Sequence, residues 1–108
     1  MNWLDICALE EIPRLGSRVI DGPKGDIALF RTSEDEVFAL DDRCPHKGGP
    51  LSQGIIYGKQ VACPLHNWQI QLESGEAVAP DVGCTHRYPT RVEGGRVQVV
   101  LEKALASA

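Results

Sequence analysis

Cys44-Pro45-His46-Lys47-Gly48-Gly49-Pro50-Leu51-Ser52-Gln53-Gly54, and then Cys63-Pro64-Leu65-His66, are the stretches that decide how this chain of 108 residues is read. Each short segment carries one cysteine and one histidine, and sixteen residues separate His46 from Cys63. A thiolate and a neutral imidazole are the two side chains best suited to zinc or to iron in a sulfur-rich site. Four such donors in two mixed pairs form a ligand set. The surrounding stretch is rich in Gly and Pro, so it reads as an insertion of about residues 43–67 that the metal itself organises, with residues 43–50 and 63–67 as two facing loops. Gly48 and Gly49 permit the close backbone approach such a site needs.

Outward from the loops, the chain is a succession of short alternating or apolar runs punctuated by Gly, Pro and Asp, the pattern of an all-β sandwich or small barrel. The runs predict antiparallel strands over 3–7, 18–21, 26–31, 36–41, 60–62, 68–72, 91–93 and 96–101. Residues 21–25 and 32–35 carry turn chemistry, and Gly94-Gly95 between Val92 and Val97 signals a tight hairpin. Glu10 to Pro13 holds at most a single turn, and the tail 102–108 is too short to hold a helix alone.

Length predicts a single domain over 1–108 with room for a scaffold and one site. The formal net charge of −4, without a cluster of Lys and Arg, points away from nucleic acid and anionic membrane as partners. No stretch approaches the eighteen or so apolar residues of a membrane helix, and Met1 to Asp5 lacks the order of a secretory signal, so a cytoplasmic location is expected. In that compartment four cysteines read as metal chemistry rather than a disulfide framework. Cys7 in the first strand and Cys84 in a Gly-Cys-Thr loop read as packed or idle thiols, and His86 as a surface residue.

The run from Cys44 to Gly54, with the second pair at Cys63 and His66, resembles the Rieske domain family. The resemblance implies a [2Fe-2S] cluster held by Cys44 and Cys63 on the inner iron and by His46 and His66 on the outer iron. It also implies a Rieske-type antiparallel β sandwich with the two-loop insertion. Two ferric ions, two sulfides and two thiolates sum to zero formal charge, against minus two for a cluster with four thiolates. Such centres accordingly lie at about −150 to +300 mV, against roughly −400 mV for plant-type ferredoxins. A metal-bound imidazole keeps its second nitrogen for a proton. The rival reading is a zinc site with the same four side chains. Zinc fingers, however, pair two cysteines in one knuckle and two histidines later, whereas each loop here mixes the two.

Respiratory and photosynthetic Rieske proteins carry an extra cysteine in each loop, where this chain has Gly49 and Leu65. They also place hydroxyl residues where it has Trp68 and Ile70. The resemblance therefore implies a potential toward the low end of the range and disfavours quinol oxidation. Trp68 reads as a core aromatic beneath the loop.

Residues 62–70, with Ser74-Gly75-Glu76-Ala77, Pro80-Asp81-Val82-Gly83-Cys84 and the opening Trp3-Leu4-Asp5-Ile6-Cys7, look like the small subunit of assimilatory NAD(P)H-dependent nitrite reductase. That likeness implies an electron-transfer subunit without a substrate site of its own. Its partner large subunit is implied to hold FAD, an iron-sulfur cluster and sirohaem, and to reduce nitrite to ammonium. The alternative is a freestanding Rieske ferredoxin of a multicomponent oxygenase, although such ferredoxins more usually have glycine at the place of Asn67. A third is a zinc-bound or cluster-free assembly subunit. The small, nearly uncharged rim formed by Pro45, Lys47, Gly48, Gly49, Pro50 and Leu65 is the expected contact face for a partner.

Overall fold

Ile27-Ala28-Leu29-Phe30 is a run of four residues each with no solvent exposure. A strand continuously apolar in this way must be covered on both faces, and this requirement sets the architecture. The structure, a computed structural model, describes residues 3–22, 25–44, 49–64, 68–78 and 83–101.

Strand β3 (Gly25–Arg31) lies inside a four-stranded sheet with β2 (Ser17–Gly22), β4 (Val37–Asp41) and β8 (Arg87–Tyr88), in the order β2-β3-β4-β8 with every pairing antiparallel. The period of two then divides its side chains between two cores. Ala28, Phe30 and Leu40 join one apolar cluster, and Ile27, Leu29, Val37 and Ala39 join the other. The second cluster is completed by Cys7, Val97 and Val99. These come from a sheet of β1 (Leu4–Ala8), β10 (Arg96–Val99) and β9 (Thr90–Glu93), in the order β1-β10-β9. The first cluster is completed by Ile56, Val61 and Ile70 from a small sheet of β5 (Ile55–Tyr57), β6 (Gln60–Ala62) and β7 (Gln69–Gln71). The central sheet is thus packed between two smaller ones, and Cys44 and Cys63 belong to the core on the side that carries β5 to β7.

All eight runs expected from sequence form strands, with boundaries moved by a residue or two. Trp68 and Leu72 fall outside β7, and β10 stops at Val99. Two strands were not expected, β5 and β8. At three and two residues they are too short to show a period, and they exist because a longer neighbour offers its edge. Gly94 and Gly95, both at positive φ (57° and 77°), make the two-residue turn between Glu93 and Arg96 that the sequence predicts. The single turn expected near Glu10 is a 3-10 turn over Leu9–Glu11, closed by the Ala8 amide donating to the Glu11 carboxylate at 2.8 Å. The tail 102–108 lies outside the described residues. Among the described residues no helix is long and apolar enough to cross a membrane.

Candidate metal centre

β4 delivers Cys44 through Asp42 and Arg43, and β6 delivers Cys63 as the residue directly after its last, Ala62. Both cysteines are buried, at 2% and 3% exposure, and both belong to the apolar cluster on the β5 to β7 side. Each also closes its own loop at the base. The Cys44 amide donates to the Gly49 carbonyl at 2.8 Å, and the Cys63 amide donates to the Trp68 carbonyl at 2.6 Å. His46 and His66 lie outside the described residues, as do Pro45, Lys47, Gly48 and Leu65 of the expected rim; Gly49 is buried and Pro50 half-buried.

Three further features bring the two loops together. A 3-10 turn over Leu51–Gln53 follows the first loop and buries Leu51 completely in the same core. Gly54, which ends that turn, passes so close to β6 that a Cβ there would run into the Ala62 carbonyl, one residue before Cys63. The absent side chain is what lets the exit of the first loop lie against the strand feeding the second. Trp68, partly buried, packs against the core that contains both cysteines, as the sequence predicts.

The base of the first loop is also tied from the side. Asp42 accepts from the Ser52 amide at 2.7 Å and from the Ser52 hydroxyl at 2.8 Å. Ser52 in turn accepts at its carbonyl from the Ser17 hydroxyl at 2.7 Å. Sequence reasoning missed this role of Asp42 and Ser17. Ser52 stands inside the quoted run, but nothing local marks its partner ten positions upstream.

Two cysteines held in one apolar interior, at 2% and 3% exposure, can supply two sulfur donors to one bound metal group. Two cysteine sulfurs are the thiolate complement of a sulfide-bridged iron pair whose remaining protein ligands are histidines. Of the other sulfur and imidazole groups, Cys7 is a buried free thiol whose ionisation burial pushes up, and Cys84 is an exposed free thiol. His86 is at the surface, as expected, but has a neighbour the sequence did not suggest. Its Nδ1 lies 3.5 Å from Asp41, which also accepts from the Tyr88 hydroxyl at 2.7 Å.

Residues 2–100 match the family of the Rieske-like [2Fe-2S] domain. The ferredoxin component of a naphthalene 1,2-dioxygenase system from Pseudomonas aeruginosa is 33% identical over 101 residues, covering 93% of this chain and 96% of the relative. Among solved structures, the chain superposes on one from the complex of reduced oxygenase and oxidized ferredoxin in carbazole 1,9a-dioxygenase with a TM-score of 0.81. The identity is 26%, with 95% of this chain and 96% of that one covered. A Mycobacterium tuberculosis chain assigned as the small subunit of an NADH-dependent nitrite reductase superposes with a TM-score of 0.80 at 26% identity, with 91% and 93% covered.

Proposed function

The chain belongs to the Rieske-like [2Fe-2S] domain family, and from that premise we propose that it is the electron-transfer small subunit of an NAD(P)H-dependent nitrite reductase, with Cys44, His46, Cys63 and His66 as the cluster ligands. The observation that carries the site is the convergence of Cys44 and Cys63, from separate strands and nineteen positions apart, in one buried cluster. The narrower role is supported by the likeness of residues 62–70, 74–77 and 80–84 to nitrite reductase small subunits, and by the match in fold to the Mycobacterium tuberculosis chain. The ends of that region are tied together here. Glu76 bridges Cys84, and Gly75, at φ 79°, sits where a Cβ would meet the Thr85 carbonyl, so the turn after β7 is locked to residues 83–85.

When bound, the cluster supplies one-electron chemistry. The protein's part is to hold the cysteine ligands away from water in the core and to close both loops at their bases. We take residues 1–108 as one such domain, acting in the cytoplasm on a large subunit that carries the flavin and sirohaem.

A second reading, the ferredoxin component of an oxygenase, is favoured by the naphthalene dioxygenase relative at 33% identity. The test is reconstitution. The chain is purified without oxygen, assayed for iron and sulfide, and mixed either with a large nitrite reductase subunit or with an oxygenase. NAD(P)H-driven ammonium formation that needs this chain supports the first reading. Electron delivery to an oxygenase alone would replace it with the second.

A further inference from the structure

Asp42 and Ser52 bracket residues 43–51, the segment that carries Cys44, and they are joined by two hydrogen bonds rather than one. Both donors of Ser52, the amide and the hydroxyl, point to the Asp42 carboxylate, at 2.7 and 2.8 Å. Neither residue is left to move by itself. The Asp42 amide donates to the Asp26 carbonyl at 2.9 Å, which ties it to β3. The Ser17 hydroxyl donates to the Ser52 carbonyl, which ties that residue to β2. The two ends of the first loop are therefore anchored to neighbouring strands of the central sheet, and the Cys44 amide closes the loop further in, on Gly49. Hydrogen bonds to a charged acceptor are worth more than neutral ones, and a pair sharing one carboxylate fixes geometry as well as distance.

We infer that Asp42 is a positioning residue for the cluster. Through Ser52 it holds the ends of the first loop at the separation the bound cluster requires, so that Cys44 stays on the metal. This rests on the reading of Cys44 as a ligand. An outer group that orients a ligand is often needed for metal retention almost as much as the ligand itself.

The test uses the full chain with its cluster, purified without oxygen. Iron and sulfide are measured first, and release into a ferrous chelator is then followed by loss of visible absorbance and circular dichroism. Asp42→Ala should speed release by roughly tenfold or more, given the usual strength of hydrogen bonds to a carboxylate. Ser52→Ala, which keeps the amide donor, should speed it less. Asp42→Asn, whose side chain still accepts from the amide, should return most of the wild-type rate. Thr90→Ala, which loses a 2.6 Å hydrogen bond to the Val37 carbonyl on the other side of the central sheet, controls for general loss of stability. It should leave release unchanged.

Release from Asp42→Ala at the wild-type rate, or no faster than from Thr90→Ala, overturns the inference while the ligand reading stands. If Asp42→Ala does not fold, a Ser52→Ala protein with the wild-type release rate overturns it equally. Wild-type protein devoid of iron and sulfide overturns the ligand reading and the inference together.

Discussion

The amide of Cys63 donates to the carbonyl of Trp68 across 2.6 Å, so a proposed ligand is tied by its backbone to an aromatic whose side chain packs against the core that holds it. One residue thus closes the second loop with its backbone and adds its ring to the core that contains both cysteines. Trp68→Ala should cost about 2–3 kcal/mol, below the usual range for a fully buried aromatic because Trp68 is only partly covered. Trp68→Phe should cost less than half as much. Urea unfolding of both variants, with iron content measured in parallel, checks this; a Trp68→Ala protein as stable as wild type would show that the ring does not support that core.

Gly54→Ala tests whether the two loops depend on close backbone approach. The φ of Gly54 is −80°, which alanine adopts freely, so any effect comes from the collision with the Ala62 carbonyl. Forcing a methyl into a packed contact of this kind costs about 1–3 kcal/mol. The displaced strand is the one that leads into Cys63, so iron retention should fall along with stability. Stability lost without loss of iron would separate the contact from the site.

Replacing Cys44 or Cys63 with serine should abolish the cluster, read as loss of both iron and acid-labile sulfide. His46→Cys and His66→Cys should behave differently. A third thiolate adds one negative charge to the cluster, so a variant that retains iron should show a lower reduction potential than wild type. Voltammetry of the purified proteins measures the shift, and an unchanged potential in a cluster-loaded His→Cys variant would show that the substituted histidine is not on iron.

Stability toward alkali should depend on Tyr88. Burial, its hydrogen bond to Asp41 and the charge of that carboxylate together push the phenol well above its ordinary value of about 10. Because the folded-state value is raised, the neutral phenol is the form favoured by folding. Its contribution is complete below the unfolded value and is lost as pH rises from there through the folded one. The buried thiol of Cys7, also pushed up, acts in the same direction from about pH 9. Chemical unfolding of wild type should therefore weaken steeply above about pH 10. Tyr88→Phe should be less stable at neutral pH, having lost the hydrogen bond, with a shallower alkaline decline. Equal slopes in the two proteins would show that Tyr88 does not carry the effect.

The sequence by itself determined whatever is written in neighbouring residues. The alternation and the unbroken apolar run at residues 27–30 called for strands, Gly94-Gly95 specified its turn through positive φ, and the spacing of Cys44, His46, Cys63 and His66 announced a metal chemistry and a family. Only the tertiary structure decided that Ile27 and Leu29 face one core while Ala28 and Phe30 face the other, and that Cys44 and Cys63 share the second of these. It also decided that β5 and β8 exist, because strands of three and two residues owe their form to a partner's edge rather than to a period of their own. The clamp of Asp42 on Ser52 and the bond of Tyr88 to Asp41 belong to the same class, spanning 10 and 47 positions. A side-chain hydrogen bond over such a span has no local signature in the chain. It forms because the sheet register has already brought two distant backbones within reach.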